Sequence, residues 1–337
     1  MARTKVGLVG ASGETGASIL NGLLEDGSFE IIALVRPSSM SRPSNVALKD
    51  SGIELRALDL DNDSQDKIVA ALEGIEILLS AVGAPGQLSQ LPLATAAKTA
   101  GVKRFVPCGY VTVIPPGGVH ILRDQKEEVY NLTRRLNLPY TFIDCGWWYQ
   151  ISFPKLPSGK IDYAVMVDNP ICGKGDVPSA LTDLRDVGRY VAKVIRDERT
   201  LNKMVLVYDE VWTQKEVWDL LEKVAGEKVE RKYVSQEELE GRLGEYKKAA
   251  EADPTDFMKM LHVVETQYLL SWGVRGDNTP EYAKYLGYIT SKELYPDFKP
   301  LKLEDFAREL VAGEAKEIYV EMKAMMKAAF EKQQQQQ

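Results

Sequence analysis

Short runs rich in β-branched and other apolar residues recur through the first 146 positions, separated by longer stretches whose apolar residues fall at helical spacing. The runs are KVGLVG, EIIALVR, IELRALDL, IEILLSAVG, KRFVPCG and YTFIDCG. Most are continuous rather than alternating, as in strands covered on both faces. Strand and helix in alternation predict a parallel sheet with helices on either side. In such a sheet the strand ends line one rim, so VGASGETG, LVRPSS, SAVGAPG, VPCGY and DCGWWYQ should converge there. After Tyr149 the alternation loosens through the Pro- and Gly-rich FPKLPSGKID and NPICGKGDVPSAL. Helical LRDVGRYVAKVIRD and strand-like KMVLVYDE follow, and then mostly helical TQKEVWDLLEKVAG, SQEELEGRL and EAKEIYVEMKAMMKAAFEK. The expected fold class is α/β: a doubly wound parallel sheet over 1–150, a smaller and mostly helical C-terminal lobe over 151–332, and a disordered Gln tail at 333–337. The second lobe is expected to interleave with the first and close over the strand ends. No period of about 20 to 50 residues suggests a solenoid.

Composition narrows the function classes. At 337 residues, 45% hydrophobic and 27% charged, the chain is long enough for a large core with an appended lobe. A net charge of -7 argues against a nucleic-acid partner. Cys108, Cys145 and Cys172 show no metal-ligand spacing, so no metal is expected, and the odd count fits free thiols in a reducing compartment. Only MART precedes the first strand, and no apolar stretch approaches the roughly 18 residues of a membrane span. The expectation is a cytoplasmic protein with no membrane partner; a homodimer is the one protein assembly in view.

In VGASGETGAS, Gly10, Gly13 and Gly16 recur every three residues where the first strand gives way to a helix near Glu14. Glycine costs roughly 0.5–1 kcal/mol against alanine in a structured segment, so the cluster implies close approach to the backbone. A helix N-terminus behind such a turn offers N–H groups and a positive dipole end to a dinucleotide pyrophosphate. The spacing G-x-x-G-x-x-G departs from the usual G-x-G-x-x-G; a tight turn with close packing is the plainer alternative. The second strand ends at Arg36, with Ser38 and Arg42 following, where an NAD site usually carries an acidic residue. A guanidinium there suits a 2′-phosphate, which favours NADP(H). The cofactor-binding candidates are Gly10, Ser12, Gly13, Glu14, Thr15, Gly16, Arg36, Ser38 and Arg42, joined by Val82, Gly83 and Gln87 after the fourth strand, Cys108, Gly109 and Tyr110 after the fifth, and Lys126.

Lys126 stands out on its helix. In ILRDQKEEVYNLTRRLNLP the apolar stripe is Leu122, Val129, Leu132 and Leu136, with Thr133 beside it, and Lys126 falls four after Leu122 and three before Val129. That is the inward face, where charge is rare unless it serves a ligand. The alternative is a lysine that snorkels or pairs with Glu127.

GASGETG, LVRP, LLSAVG and KRFVP, followed by Lys126 and LNLPYTF, resemble the isoflavone reductase and NmrA-like branch of the atypical short-chain dehydrogenases. GWWYQISFPKLPSG and ALTDLRDVGRY further resemble fungal NmrA-like proteins, many tied to secondary metabolism. The resemblance implies a Rossmann sheet with a substrate-binding second lobe. It also implies that Lys126 is the catalytic lysine, serving the nicotinamide ribose and polarising the substrate in place of a Tyr-x-x-x-Lys pair. Plant members carry Ser-Glu-Phe where this chain has Cys108, Gly109 and Tyr110. A literal Tyr-x-x-x-Lys, Tyr288 and Lys292 in YITSK, lies far along the chain from the first sheet and is read as coincidence.

Trp147, Trp148 and Tyr149, just past the sixth strand, offer a wall for a flat apolar ligand, although one tryptophan of the pair reads equally as core. His120, in PPGGVHIL, is an acid–base or substrate-binding candidate, against the commoner structural role of a lone histidine. The leading reading is an NADPH-dependent oxidoreductase acting on an aromatic or alkaloid-like secondary metabolite at an activated C=N, C=C or C=O. Redox-coupled cyclisation is a variant of it. The rival is a non-catalytic NADP(H)-binding redox sensor of the NmrA type.

Overall fold

The computed structural model describes residues 3–165, 170–324 and 326. The Gln tail at 333–337 and the end of the last helical stretch lie outside them. Two units emerge: one of residues 1–146, 184–208 and 280–299, the other of 147–183, 209–279 and 300–337.

In the first unit, β1 (Thr4–Val9), β2 (Phe29–Val35), β3 (Glu54–Ala57), β4 (Ile77–Ser80) and β5 (Arg104–Val106) form a sheet in the order β3-β2-β1-β4-β5. Every pairing is parallel, with Val9 opposite Leu34 and Ser80. Strand order reverses at β1, the switch point where such sheets take ligands. A parallel bridge from Phe105 to Tyr140 carries the sheet on to β6 (Thr141–Asp144), which pairs with β10 (Lys203–Leu206) and through it with β13 (Tyr288–Thr290). The sheet is therefore longer than its N-terminal strands alone. Tyr288 is not remote from it but opens its last strand, because β10 returns to pair with β6 and gives β13 an edge to join. Lys292 goes elsewhere, its Nζ over the Tyr208 ring at 5.5 Å.

The first unit's helices are α1 (Glu14–Asp26), α2 (Pro43–Asp50), α3 (Gln65–Ala71), α4 (Gln90–Thr99), α5 (Ile121–Arg135), α6 (Leu184–Arg196), α10 (Pro280–Tyr285) and α11 (Ser291–Leu294). Ile32, Leu78 and Phe105 from the strands, with Ile68, Leu93 and Val129 from the helices, fill one apolar core. With both faces covered, the strands need the continuous apolar runs seen in the sequence. This is the Rossmann architecture.

The second unit carries short strands, β7 (Trp147–Trp148), β8 (Ile171–Cys172), β9 (Pro178–Thr182), β11 (Glu210–Thr213) and β12 (Tyr233–Val234). Its longer elements are α7 (Gln214–Ala225), α8 (Gln236–Ala252), α9 (Phe257–Tyr268) and α12 (Leu303–Ala312), with a π-helix over Leu269–Arg275. The chain passes between the units more than once: 184–208 and 280–299, from the stretch expected to interleave, belong with the first unit. Their strands β10 and β13 find parallel partners only at the β6 edge.

Candidate active site

At the end of β1 the backbone turns through Gly10 at φ +80, a conformation side chains rarely adopt. A Cβ there would lie 2.5 Å from the Ala81 carbonyl oxygen, and one on Gly16 would lie 1.9 Å from that of Gly10. Both glycines are thus required by packing. Gly13 differs: it is exposed, its φ of -78 is ordinary, and a Cβ would meet only the Gly10 carbonyl oxygen at 3.5 Å. It is also the N-cap of α1 and supplies no side-chain acceptor to the first turn. The position is bare on its outer side, where a Cβ would fill the approach of an anion to the helix N-terminus. A dinucleotide pyrophosphate fits this cradle, with Ser12 exposed and Glu14 and Thr15 partly exposed around it.

Arg36 directly follows β2 and stands exposed, with Ser38 and Arg42 exposed beyond it. The Asp59 carboxyl is held below its usual range, chiefly by Asn62, then against burial by the Asp61 and Asn62 amides and by the charge of Arg36. Val82 and Gly83 follow β4 and are partly or fully exposed.

Lys126 is 2% exposed on the inward face of α5. Its ammonium donates to the carbonyls of Cys108 and Gly109, each at 3.0 Å, and to Gln87 Oε1 at 3.3 Å. Glu127 is not its partner, being paired with Arg123 and Arg134. The acceptors are themselves fixed. Gln90 donates through Nε2 to Gln87 Oε1 and accepts the Cys108 N–H at 2.7 Å, while the Cys108 thiol donates to the Val82 carbonyl at 3.3 Å. Lys126 therefore sits where the segments after β4 and β5 meet, on neutral oxygens alone. Three donors meet three acceptors, and Gln87 is the most distant.

Gly109 is dictated by β6: a Cβ would lie 2.2 Å from the Ile143 carbonyl oxygen. Tyr110 follows at φ 51 with its N–H on Ile143 O at 2.7 Å. Its phenol is buried with no hydrogen-bond partner among the described residues, and burial pushes it well above the usual range, with Cys108 and Cys145 adding to the rise.

His120 is fully buried and caps α5, its Nδ1 accepting the Leu122 N–H at 3.1 Å. An accepting Nδ1 places the ring proton on Nε2. Asp124 closes the preceding loop by accepting the Gly117 and Gly118 N–H groups. The structure thus gives His120 a helix-capping task.

A second buried cluster lies beside Lys126 and has no forewarning in the periodicity. Arg123 is also on the inward face and donates to Asp144 Oδ2 and the Tyr288 hydroxyl, both at 3.1 Å, and to Glu127; the Tyr288 hydroxyl in turn donates to Asp144. Burial pushes the Asp144 carboxyl up, against the pull of Arg123, Tyr288 and Lys126. For Arg123 burial opposes the charge, but Tyr288 and Asp144 outweigh it and the guanidinium stays charged.

Within the second unit, Trp148 is buried with its ring stacked on Tyr319. Tyr149 is fully buried in the unit's core, its hydroxyl on Glu210 Oε2 at 3.2 Å and the Leu301 carbonyl at 3.3 Å. Trp147 remains partly exposed. None of the three cysteines is in a disulfide, and all three are buried. Among the described residues no group of acidic, His or Cys side chains could hold a metal, and no helix is long and apolar enough to cross a membrane.

The model of the NmrA-like family matches residues 2–307. An asnovolin J 5′,6′-dehydrogenase of Aspergillus novofumigatus is 43% identical over 313 residues, covering 91% of this chain and 95% of its own. Pinoresinol reductase 1 of Arabidopsis thaliana is 28% identical over 327 residues, covering 91% and 96%. Leucoanthocyanidin reductase of Vitis vinifera, solved with NADPH, superposes with a TM-score of 0.76 at 22% identity, over 91% of this chain and 99% of that one. The matched length, the glycine turn at the switch point and the buried lysine on α5 agree, and the chain belongs to the NmrA-like family.

Proposed function

We propose that the protein is an NADPH-dependent oxidoreductase of secondary metabolism, acting on a small aromatic or alkaloid-like molecule at an activated C=N, C=C or C=O. The observation that carries the reading is the placement of Lys126 at the ends of β4 and β5, on the rim that also presents the glycine turn and Arg36. Gly10, Ser12, Gly13, Glu14, Thr15 and Gly16 would hold the pyrophosphate, Arg36 with Ser38 and Arg42 the 2′-phosphate, and Val82, Gly83, Cys108, Gly109 and Tyr110 the nicotinamide end. When bound, the cofactor supplies or accepts a hydride. Gln87, the longest contact, is the acceptor that gives way when Lys126 turns one N–H toward a ribose hydroxyl or a substrate heteroatom. The ammonium then meets negative charge that develops as the substrate is reduced. The dehydrogenase and reductase activities in the names of the relatives support an enzyme over a sensor.

Lys126→Met tests this. It should keep the fold and much of the NADPH affinity while lowering turnover by about two or more orders of magnitude, through loss of an interaction made in the transition state. Arg36→Ala should weaken NADPH binding far more than NADH binding in calorimetry. Unchanged turnover in Lys126→Met on a true substrate would remove the lysine from the chemistry. No oxidation of NADPH with any metabolite of the relevant pathway would favour the sensor.

A further inference from the structure

Lys126 has no N–H to spare. Its ammonium gives its three protons to the Cys108 and Gly109 carbonyls and to Gln87 Oε1, so a ligand atom takes one of them only if an acceptor leaves. Two of the acceptors are pinned. The Cys108 N–H is held by Gln90 Oε1 of α4 at 2.7 Å, and the Tyr110 N–H by the Ile143 carbonyl of β6 at 2.7 Å. Between them the backbone passes so close to β6 that a Cβ on Gly109 would lie 2.2 Å from the Ile143 carbonyl oxygen. The Cys108 and Gly109 carbonyls therefore stay where they are.

Gln87 is held differently. It is 2% exposed, yet none of its carboxamide's four contacts is shorter than 3.3 Å. Oε1 accepts from Lys126 and from Gln90 Nε2, each at 3.3 Å, and Nε2 donates to the Gly83 carbonyl at 3.4 Å and to Cys108 Sγ at 3.6 Å. N–H···O bonds of ordinary strength lie near about 2.9 Å, so the carboxamide is buried on weak bonds. Its backbone is anchored, the Gln87 carbonyl accepting from Gln90 Nε2 at 3.1 Å and the Gln90 N–H at 3.4 Å. The side chain can turn while the chain stays in place. It needs to turn only past a surface segment, because Gly83, Ala84, Pro85 and Leu88 on either side of it are exposed. The room that a ligand needs beside the ammonium is the room this carboxamide vacates. All of these residues belong to the first unit.

We propose that Gln87 is an internal stand-in for the cofactor: its carboxamide oxygen holds the place on the Lys126 ammonium that a ribose hydroxyl of the nicotinamide half of NADP(H) takes, and it turns out as that half enters. Gln87 thus competes with the cofactor rather than binding it. The consequence is a sign. Truncating an ordinary binding residue weakens affinity, whereas removing a stand-in strengthens it, because the free protein is left with a buried ammonium proton that the ligand alone satisfies. A carboxylate in the same place does the reverse, since a charge-assisted bond to the ammonium is harder to break. The inference rests on the proposed function in placing the nicotinamide half at Lys126.

The test measures, by calorimetry on the full chain, binding of NADPH and of adenosine 2′,5′-bisphosphate, which carries the 2′-phosphate but no nicotinamide half. Gln87→Leu should bind NADPH roughly three- to tenfold more tightly than wild type, and Gln87→Glu more weakly by a similar factor. The bisphosphate does not reach Lys126 and should bind all three proteins alike. Should Gln87→Leu fail to fold, Gln87→Asn, one methylene too short to reach the ammonium, carries the same expectation. Weaker NADPH binding in Gln87→Leu would make Gln87 a binding residue, and unchanged affinity in both variants would make it a structural one; either result overturns the proposal. Equal shifts for the bisphosphate would show a disturbed loop and overturn it as well. Binding involves no hydride transfer, so opposite shifts without turnover on any metabolite would count against the oxidoreductase alone, and turnover without those shifts against the stand-in alone.

Discussion

Glu265, on α9, shows how strongly surroundings decide what a side chain does. Its carboxyl is pushed up to about 7 by burial. Below the unfolded value near 4.5 the group is protonated in both states and costs nothing. Between about 4.5 and about 7 the unfolded chain gives up the proton that the folded state keeps, so stability falls across that window and levels off above it. Glu265→Gln should therefore unfold at the same denaturant concentration as wild type near pH 4 and be more stable at pH 8. The expected gain is about 1 to 3 kcal/mol, toward the lower end because the side chain keeps some solvent. A denaturant midpoint that does not separate from wild type between the two pH values would show that the carboxylate is well solvated. Lys126 is the contrasting case: its inward place followed from spacing along the helix, while its three acceptors, 17 to 39 positions away, did not.

Elements in this fold meet through glycines, but not all of those glycines do the same work. α1 and α6 cross so closely that a Cβ on Gly188 would lie 1.8 Å from the Ser18 carbonyl oxygen, and one on Gly22 would lie 2.2 Å from the Gly188 carbonyl. Those neighbours are backbone and cannot step aside cheaply. Gly188→Ala should cost about 1 to 3 kcal/mol or more in unfolding experiments, because the helices must separate. Gly13→Ala, with only an ordinary contact, should stay within about 1 kcal/mol of wild type yet bind NADPH at least roughly tenfold more weakly, as a methyl group intrudes on the pyrophosphate. NADPH titration of both variants separates the two roles, and wild-type affinity in Gly13→Ala would place the phosphates elsewhere. The chain marked all of these positions alike as Gly; only the distances sort packing from access.

At the scale of the whole molecule, the first unit is completed by chain that returns late. Tyr288 lies 144 residues from Asp144, yet its hydroxyl donates to that carboxylate and accepts from Arg123, with all three side chains buried. Tyr288→Phe keeps the ring packed but leaves the ion pair one partner short. The urea midpoint should fall by the equivalent of about 1 to 3 kcal/mol, while Tyr285→Phe, at an 81% exposed site, should change nothing. Equal midpoints for the two variants would mean that the Arg123–Asp144 pair is satisfied without the phenol.

The strands β1 to β6, the glycine turn ahead of α1 and the inward lysine of α5 were legible in the sequence because each is a local pattern. A buried strand needs an apolar run, a strand-to-helix turn with close approach needs glycine, and a helix repeats its faces every 3.6 residues. Arg36 at the end of β2 was legible for the same reason. What the tertiary structure alone decided depends on partners far apart in the chain. For His120 the sequence left an acid–base or substrate-binding role and a structural one open, and the fold shows its ring capping α5; Tyr149 was expected in a pocket wall, and its hydroxyl lies inside a core on Glu210 and Leu301. Arg123, on the same helix face as Lys126, gave no local sign of its pairing with Asp144 and Tyr288. Trp147, Trp212, Trp218 and Trp272 are spread over 126 positions, and no periodicity links them. They become one wall only when β7, β11, α7 and the π-helix pack together, because side-chain chemistry fixes what a residue can bind and the fold fixes which others it meets.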